Sequence, residues 1–331
     1  MDVKTRILII SDTHGKYFPV GPGHKADVVI HCGDLTDGST LDEYRRTLQL
    51  LNDFDAPLKL VIAGNHDFTL DAPSFRRKVN EVTEPLDPAL VRSVYGEYGE
   101  ARRLFDEAPD ITFLDEGTHQ FHLANGSLLT VYASPYTPSE DGDSLQYHPS
   151  TDHEFAITKD TDVVITHGPP RGIMDRTCQG RAGCTDLFAA VARARPRVHC
   201  FGHIHQQWGA KFVTWRPQIS DTPSHFTDID NGHSTVIDTL RTSLGKPPDT
   251  SAIRVEKVHQ AEPSKQQECR ETSHCHEDPN PLEKGKHTLF VNAAAEGVSE
   301  NQPIHPRWIV DINLPKYDGQ QPITGHALHI P

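Results

Sequence analysis

Carboxylate and imidazole side chains recur in this sequence at the ends of short apolar runs. In chain order, the clusters are Asp12 with His14, Asp34 with Asp37, Asn65 with His66 and Asp67, His167 alone, and His203 with His205. Carboxylates and imidazoles together form the ligand sets of divalent metals such as manganese, iron and zinc. The clusters therefore indicate a metal site that draws on distant parts of the chain.

Seven of these side chains would suffice for two metal ions that share one carboxylate. Such a pair of ions holds the attacking and leaving oxygens of an in-line phosphoryl displacement, and it lowers the pKa of a bound water to about 7. Two divalent cations also outweigh the charge of two aspartates and a hydroxide. A pocket of this kind would attract phosphate even though the whole chain, with 32 basic and 46 acidic residues, carries a net charge of −14.

Two of the histidines are only two positions apart, in the sequence CFGHIHQQWG at residues 200–209. In an extended chain, residues i and i+2 point to the same side, so we expect His203 and His205 to project together. Trp208 follows directly. It could cover the pocket or stack on a base, although packing is the commoner fate of a tryptophan.

Six apolar runs, each bounded by glycine, proline or aspartate, predict the buried strands that would position these clusters. The runs, with the polar residues that follow them, lie at 6–15, 27–37, 58–67, 128–138, 162–170 and 197–205. Helical patterns lie between some of them, one opened by the capping box of Thr40 and Glu43 and another at 185–195. This alternation predicts an α/β fold, in which polar clusters collect at the carboxyl ends of the strands.

The composition changes after Trp208. Residues 216–286 are rich in proline, serine, threonine, histidine and acidic residues, so we interpret them as an insertion that is partly disordered. Residues 288–295 and 307–315 resemble strands that return to the core, and 316–331 form a loose C-terminal tail. Because ligands from Asp12 to His205 must converge on one site, we predict one domain over 1–315 rather than two.

The composition also disfavours several classes of protein. The acidic balance argues against binding along a nucleic-acid backbone, and no apolar stretch reaches the ~20 residues of a membrane span. Six irregularly spaced cysteines without a signal-peptide pattern favour the cytoplasm, or alternatively the nucleus. Two cysteines and two histidines between Cys269 and His276 could suggest zinc, but their spacing favours a flexible insertion.

Taken in order, the motifs D-x-H, G-D-x-x-D, G-N-H-D, a later histidine and G-H-x-H resemble the calcineurin-like metallophosphoesterase superfamily. The resemblance runs from residue 6 to about 209 and resumes at 288–315. The segments HCGDLTDGS, IAGNHD, ASPYTP, THGPP and FGHIH are similar to its metallophosphoesterase-domain-containing subgroup, which is associated with class III cyclic-nucleotide phosphodiesterases. The resemblance implies a four-layer α-β-β-α sandwich, here a single domain with a long polar insertion.

The resemblance also implies a role for each cluster. Seven residues would be metal ligands: Asp12, His14 and His205 for one ion, Asn65, His167 and His203 for the other, and Asp34 as the bridge between them. His66 would face the leaving-group oxygen as a general acid or phosphate donor, and Asp37 would orient its ring. For Asp67, support of the site and plain loop polarity stay equally open.

The implied reaction is hydrolysis of a small phosphoester, preferably a diester such as a cyclic nucleotide, by in-line attack of a metal-bridging hydroxide. Manganese is the first candidate for both ions, with iron and zinc as alternatives. Gly38 stands where many superfamily phosphatases carry an arginine that grips the phosphate. A dianionic monoester profits most from that arginine, so its absence favours a phosphodiesterase. The alternatives are a phosphomonoesterase or protein phosphatase, and a metal-bound scaffold without catalysis.

Overall fold

Two β-sheets carry most of the chain. The computed structural model describes residues 2–18, 20, 24–83, 86–140, 142–240, 269–297 and 304–319, and the backbone of 326–328. In chain order the strands are β1 (Asp2–Ile10), β2 (Val28–His31), β3 (Leu58–Val61), β4 (Ile111–Phe113), β5 (Gly117–His122), β6 (Leu128–Ser134), β7 (Thr137–Pro138), β8 (Gln146–Tyr147), β9 (Val163–Thr166), β10 (Arg176–Thr177), β11 (Gly180–Arg181), β12 (Val198–Phe201), β13 (Gly209–Thr214), β14 (Thr235–Thr239), β15 (Cys269–Ser273), β16 (His287–Asn292), β17 (Arg307–Pro315) and β18 (His326–Leu328).

In the part of the chain that the structure describes, five α-helices cover the sheets or connect their strands. They are α1 (Leu41–Asn52), α2 (Ala72–Glu81), α3 (Pro88–Tyr95), α4 (Glu100–Asp106) and α5 (Thr185–Ala194), with 3₁₀ turns at Phe68–Leu70 and His205–Gln207. None of the helices in the described part of the chain combines the length and the hydropathy that a membrane span requires.

The strands that precede the predicted site residues are parallel. The first sheet has the order β15-β17-β1-β2-β3-β4, and β1 to β4 run parallel to one another. The second sheet has the order β14-β13-β16-β12-β9-β6-β5-β18, and β6, β9, β12 and β16 are parallel. Because the carboxyl ends of parallel strands share one edge, the loops after β1, β2 and β3 can meet those after β9 and β12.

Alternate residues of a strand belong to different core clusters, and these clusters define the layers. Ile7 and Ile9 belong to the cluster between the two sheets, whereas Leu8 and Ile10 belong to a second cluster with side chains of α1 and α4. On the opposite side of the molecule, Phe188 and other residues of α5 pack against the outer face of the second sheet. The order helix, sheet, sheet, helix confirms the predicted four-layer α-β-β-α sandwich.

The predicted capping box forms and does more than start α1. The side chain of Thr40 accepts a hydrogen bond from the Glu43 N–H at 3.3 Å, and the Glu43 carboxylate accepts one from the Thr40 N–H at 2.9 Å. The same carboxylate accepts from the N–H groups of Asp37 at 3.1 Å and Gly38 at 3.2 Å. The Glu43 carboxylate therefore accepts hydrogen bonds both from the start of α1 and from the loop after β2.

The predicted insertion at 216–286 contributes a strand to each sheet where it is described. β14 pairs with β13, and β15 pairs with the central strand β17. In the predicted tail at 316–331, β18 pairs with β5. Residues 241–268 lie outside the described residues, so the disorder and the domain limits that we expect from the sequence stay predictions.

Trp208 packs in the core, which confirms the commoner of the two roles considered for it. Its ring lies 5.0 Å from the ring of Trp308 at an interplanar angle of 23°, and its Nε1–H donates to the Pro306 carbonyl at 2.9 Å. Trp308 is fully buried on β17. The pair ties the segment after His205 to the first sheet.

We expect Trp308→Ala to lower the free energy of unfolding by about 3–5 kcal/mol, because truncation of a buried tryptophan leaves a cavity. Urea denaturation followed by circular dichroism measures the change. Phe226→Ala is the control, since the Phe226 side chain is 72% exposed and its loss should cost less than about 0.5 kcal/mol. A similar small cost for both variants would contradict the packing described.

Candidate metal centre

Two groups of metal-ligating side chains meet at one end of the sandwich. Asp12, His14 and His205 present ligand atoms within 4.8 Å of one another, and so do Asp34, His167 and His203. In the first group, Nε2 of His205 lies 3.3 Å from an Asp12 oxygen and 3.4 Å from Nε2 of His14. These are the same residues that the resemblance implies for two separate ions.

Asn65 lies beside the second group, and Asp34, a member of that group, also faces the first. The side-chain oxygen of Asn65 lies 2.9 Å from Nε2 of His167, in the second group. Oδ2 of Asp34 lies 3.2 Å from Nε2 of His167 and 3.9 Å from Nε2 of His14, which belong to different groups. Asp34 therefore lies between the groups, where a shared carboxylate has to be.

The backbone is strained at four of these residues. Asp12, His14, Asp34 and His203 have φ angles of 52°, 47°, 51° and 68°, within the left-handed region. Aspartate and histidine tolerate this region better than most residues, but each such position costs about 1–3 kcal/mol. The chain turns sharply as soon as each strand ends, and this turn brings the side chains of each group together.

The backbone from His203 to His205 is not extended, so the expectation that these two side chains project together is wrong. His203 has a left-handed backbone, and His205 begins a 3₁₀ turn. As a result the two rings do not project side by side, and each joins a different ligand group. The expectation that they serve different ions is compatible with this arrangement, although the extended backbone assumed for it is absent.

Two glycines leave the space that the site needs. A Cβ on Gly202 would lie 1.9 Å from an Asp12 oxygen, and a Cβ on Gly64 would lie 2.3 Å from an Asp34 oxygen. Both distances are far below van der Waals contact. The two buried carboxylates can approach the neighbouring backbone only because these positions carry no side chain.

Main-chain N–H groups hold the carboxylates in place. The N–H of His203 donates to both oxygens of Asp12 at 2.9 and 3.0 Å, and the N–H of His66 donates to Asp34 at 2.9 Å. Burial raises the pKa of Asp34, but His167 and its other charged neighbours outweigh burial and hold that pKa below its usual value. Both ligands are therefore ionised and oriented by the protein itself.

The histidines of the second group differ in protonation. Burial lowers the pKa of His167, but the Asp34 carboxylate opposes this and raises it to about 9. Burial and the nearby His167 lower the pKa of His203 to about 4. A metal ion binds the neutral imidazole ring, which burial favours at His203 and the Asp34 carboxylate disfavours at His167.

His66 lies at the rim of the site and its ring is held by the loop after β2. Its Nδ1 lies 2.8 Å from the main-chain oxygen of Asp37 and 3.6 Å from the Asp37 carboxylate. The main-chain carbonyl therefore makes the orienting hydrogen bond that the resemblance implies for the Asp37 side chain, which is largely exposed. With Nδ1–H donating to this carbonyl, Nε2 of His66 is free to face a substrate.

Asp67 supports the site, which decides between the two readings left open for it. It is fully buried, and its carboxylate accepts from the N–H groups of Leu35 at 3.0 Å, Thr36 at 3.0 Å and Gly64 at 2.8 Å. Burial and the charge of Asp34 raise the pKa of Asp67 to about 7. The side chain joins the loop that carries Asp34 to the loop that carries Asn65.

One residue of the site was not predicted from the sequence. Glu296, from the connection between β16 and β17, lies with Oε2 3.2 Å from Nε2 of His14 and forms an ion pair with Lys16. It follows the run NAAA, and no metal motif precedes it. Only the pairing of this connection with the end of β1 brings it to the ligands.

The family model for calcineurin-like phosphoesterases matches residues 5–207, which is more than half of the chain. The chain belongs to the calcineurin-like phosphoesterase family. Membership indicates a metal-dependent phosphoester hydrolase.

The relatives of this chain differ in length. It is 28% identical to human Metallophosphoesterase domain-containing protein 1, over 62% of this chain and 62% of that protein. It is 29% identical to UPF0046 protein T07D4.2 of Caenorhabditis elegans, over 62% of this chain and 52% of that protein. It is 33% identical to Probable rhamnogalacturonate lyase C of Emericella nidulans, over 65% of this chain and 18% of that protein. The matched region covers less than two thirds of each.

The donor set of this chain fits the dinuclear metal site that the family uses. Carboxylate, amide and imidazole ligands suit manganese, iron or zinc. The fit rests on the two ligand groups, on the carboxylate between them and on the glycines beside the carboxylates. A third group of His14, Asp37 and His66 lies at the rim, where Asp37 is exposed.

We expect Asp67→Asn to destabilise the protein by about 3 kcal/mol, because an amide cannot accept from three N–H groups and leaves buried donors unpaired. Thermal denaturation of the metal-stripped protein measures the loss. Asp71→Asn is the matched control, since the Asp71 side chain caps no helix. If both variants have the same melting temperature as the wild-type protein, Asp67 does not join the two loops as described.

Proposed function

We propose that the chain hydrolyses small phosphodiesters with two divalent metal ions, Mn²⁺ being the first choice for both. The observation that carries the proposal is the convergence of two ligand groups around one buried carboxylate, Asp34. Asp12, His14 and His205 would hold one ion, and Asn65, His167 and His203 the other. When bound, the ions supply an activated water and hold the phosphoryl oxygens.

His66 is the proton donor of the proposed reaction. Burial lowers its pKa, but the carboxylate of Asp34 and the carbonyl of Asp37 outweigh burial and raise it. The raised pKa favours the protonated ring, whose proton can pass to the departing oxygen. The carboxylate of Asp37, 3.6 Å from Nδ1, adds negative charge behind the ring.

The preference for a diester rests on Gly38. In place of the arginine of many family phosphatases, this position offers no cation, and the buried Glu43 carboxylate accepts its N–H. A dianionic monoester would lose the arginine and also meet a negative charge nearby. A monoanionic diester loses less on both counts, because it carries less charge.

Among diesters we propose cyclic nucleotides, on the strength of the resemblance to the subgroup of class III phosphodiesterases. We also propose a cytoplasmic location, because all six cysteines are free thiols, as is usual in a reducing compartment. The acidic charge of the chain supports a small substrate over a long nucleic acid.

The test is hydrolysis of bis-p-nitrophenyl phosphate by metal-stripped and Mn²⁺-reloaded protein. We expect turnover that depends on Mn²⁺, and a decrease in kcat of about 10²–10⁴-fold in His66→Asn with the metal content unchanged, because a general acid is lost. His233→Asn is the control, since His233 contacts Asp230 at 2.7 Å on the surface in a similar histidine–aspartate pair.

Two results would overturn this proposal in different directions. Two bound ions without turnover on any phosphoester would favour the scaffold. Faster turnover of p-nitrophenyl phosphate than of the diester would favour a phosphomonoesterase or protein phosphatase.

Gly38→Arg should shift the preference toward monoesters. A Cβ at this position would lie 3.5 Å from a Glu43 oxygen and 3.9 Å from Thr40, so the side chain has room to leave the backbone. We expect the ratio of monoester to diester turnover to rise on the order of tenfold, the effect of one charged hydrogen bond. Gly38→Gln is the uncharged control. An unchanged ratio in Gly38→Arg would remove Gly38 from the explanation of substrate choice.

A further inference from the structure

Glu296 lies beside the first ligand group although it belongs to a part of the chain beyond the family match at 5–207. Its Oε2 is 3.2 Å from Nε2 of His14, which is the nitrogen that also faces His205 at 3.4 Å. Most of its side chain is buried. The Glu296 carboxylate therefore lies beside one imidazole of the first group, next to the three ligand atoms that lie within 4.8 Å of one another.

The backbone fixes Glu296 there. The main chain of Ser11 exchanges hydrogen bonds with Ala293 and Ala295, and the N–H of Glu296 donates to the carbonyl of Asp12 at 3.2 Å. The connection after β16 thus continues the ladder at the end of β1. The carboxylate is held by the same strand end that positions Asp12 and His14.

Lys16 is the counter-ion of Glu296. Its ammonium group forms an ion pair with Oε1, while Oε2 faces His14. The Lys16 side chain is about half exposed, so it can leave the carboxylate at little cost, as exposed ion pairs contribute at most about 1 kcal/mol.

We propose that Glu296 is a further ligand of the ion held by Asp12, His14 and His205, and that Lys16 competes with this ion for the carboxylate. The inference rests on the proposed dinuclear site and adds a residue to it. A second terminal carboxylate makes the first position richer in oxygen than the second, which has an amide oxygen and two imidazoles besides the shared Asp34. Oxygen-rich sites suit Mn²⁺ and Mg²⁺ better than softer ions.

The test is a titration of the metal-stripped full chain with Mn²⁺ alone, in which electron paramagnetic resonance reports free ion. We expect two ions per wild-type chain, and an affinity at one position about tenfold lower in Glu296→Gln, the order of effect found for groups that support a metal. Glu296→Asp keeps the charge but shortens the side chain, so a ligand role predicts a similar loss. Circular dichroism shows whether each variant is folded.

Lys16→Met separates competition from a structural ion pair. Competition predicts tighter Mn²⁺ binding in Lys16→Met and weaker binding in Glu296→Gln, and it predicts no gain from Lys16→Met when Glu296 is already glutamine. Glu283→Gln is the control, because it removes the same charge from an exposed pair with Lys286 and should change nothing.

Three outcomes would overturn the inference. Equal losses in Lys16→Met and Glu296→Gln would indicate a pair that merely holds two loops together. Wild-type affinity in Glu296→Asp would indicate an effect of charge at a distance. Two ions bound with unchanged affinity in Glu296→Gln would remove Glu296 from the site and leave the proposed function intact, whereas a wild-type chain that binds no Mn²⁺ would refute the dinuclear site itself.

Discussion

The burial of two carboxylates without a permanent cationic partner is the constraint on which the rest of the structure depends. Asp12 and Asp34 are almost fully buried, and in the described part of the chain the ionisable groups paired with them are histidines. Charge buried in this way costs several kcal/mol per group unless it is compensated. The N–H groups aimed at both side chains compensate part of that cost, and divalent ions would compensate the rest.

This constraint explains why the fold needs two sheets rather than one. A single strand end can offer two or three side chains, and the two ligand groups need six. Parallel strands in two stacked sheets bring five strand ends to one edge, and the sharp left-handed turns at Asp12, His14, Asp34 and His203 aim the side chains inward. The strain of these turns is tolerated because the buried strands on either side constrain the backbone of the loops.

The sequence was sufficient for the buried strands that precede the site residues, and for the residues that meet there. Buried parallel strands are continuous apolar runs, which are visible without a structure, and each ligand follows one of them directly. The local geometry was out of reach, since the left-handed backbone at His203 and the carbonyl that holds His66 depend on contacts between loops. The role of Asp67 was equally hidden, because its partners are main-chain N–H groups of residues 31 and 32 positions earlier and three positions earlier in the chain. The edge strand β15, with the sequence CRETS, carries no apolar pattern that would predict it.

The position of the last two long strands has a consequence for how the protein is made. β16 lies between β12 and β13, and β17 lies between β1 and β15, so both insert between strands that come earlier in the chain. A nascent chain that has reached residue 209 contains every family motif, but its sheets still have open edges at β1 and β12, which are the kind of surface that aggregates. Its ligands also lack the ladder that Ala293 and Ala295 form with Ser11. The ladder beside Asp12 and His14 therefore forms only after residues 293–295 have been synthesised, well beyond the last family motif in the chain.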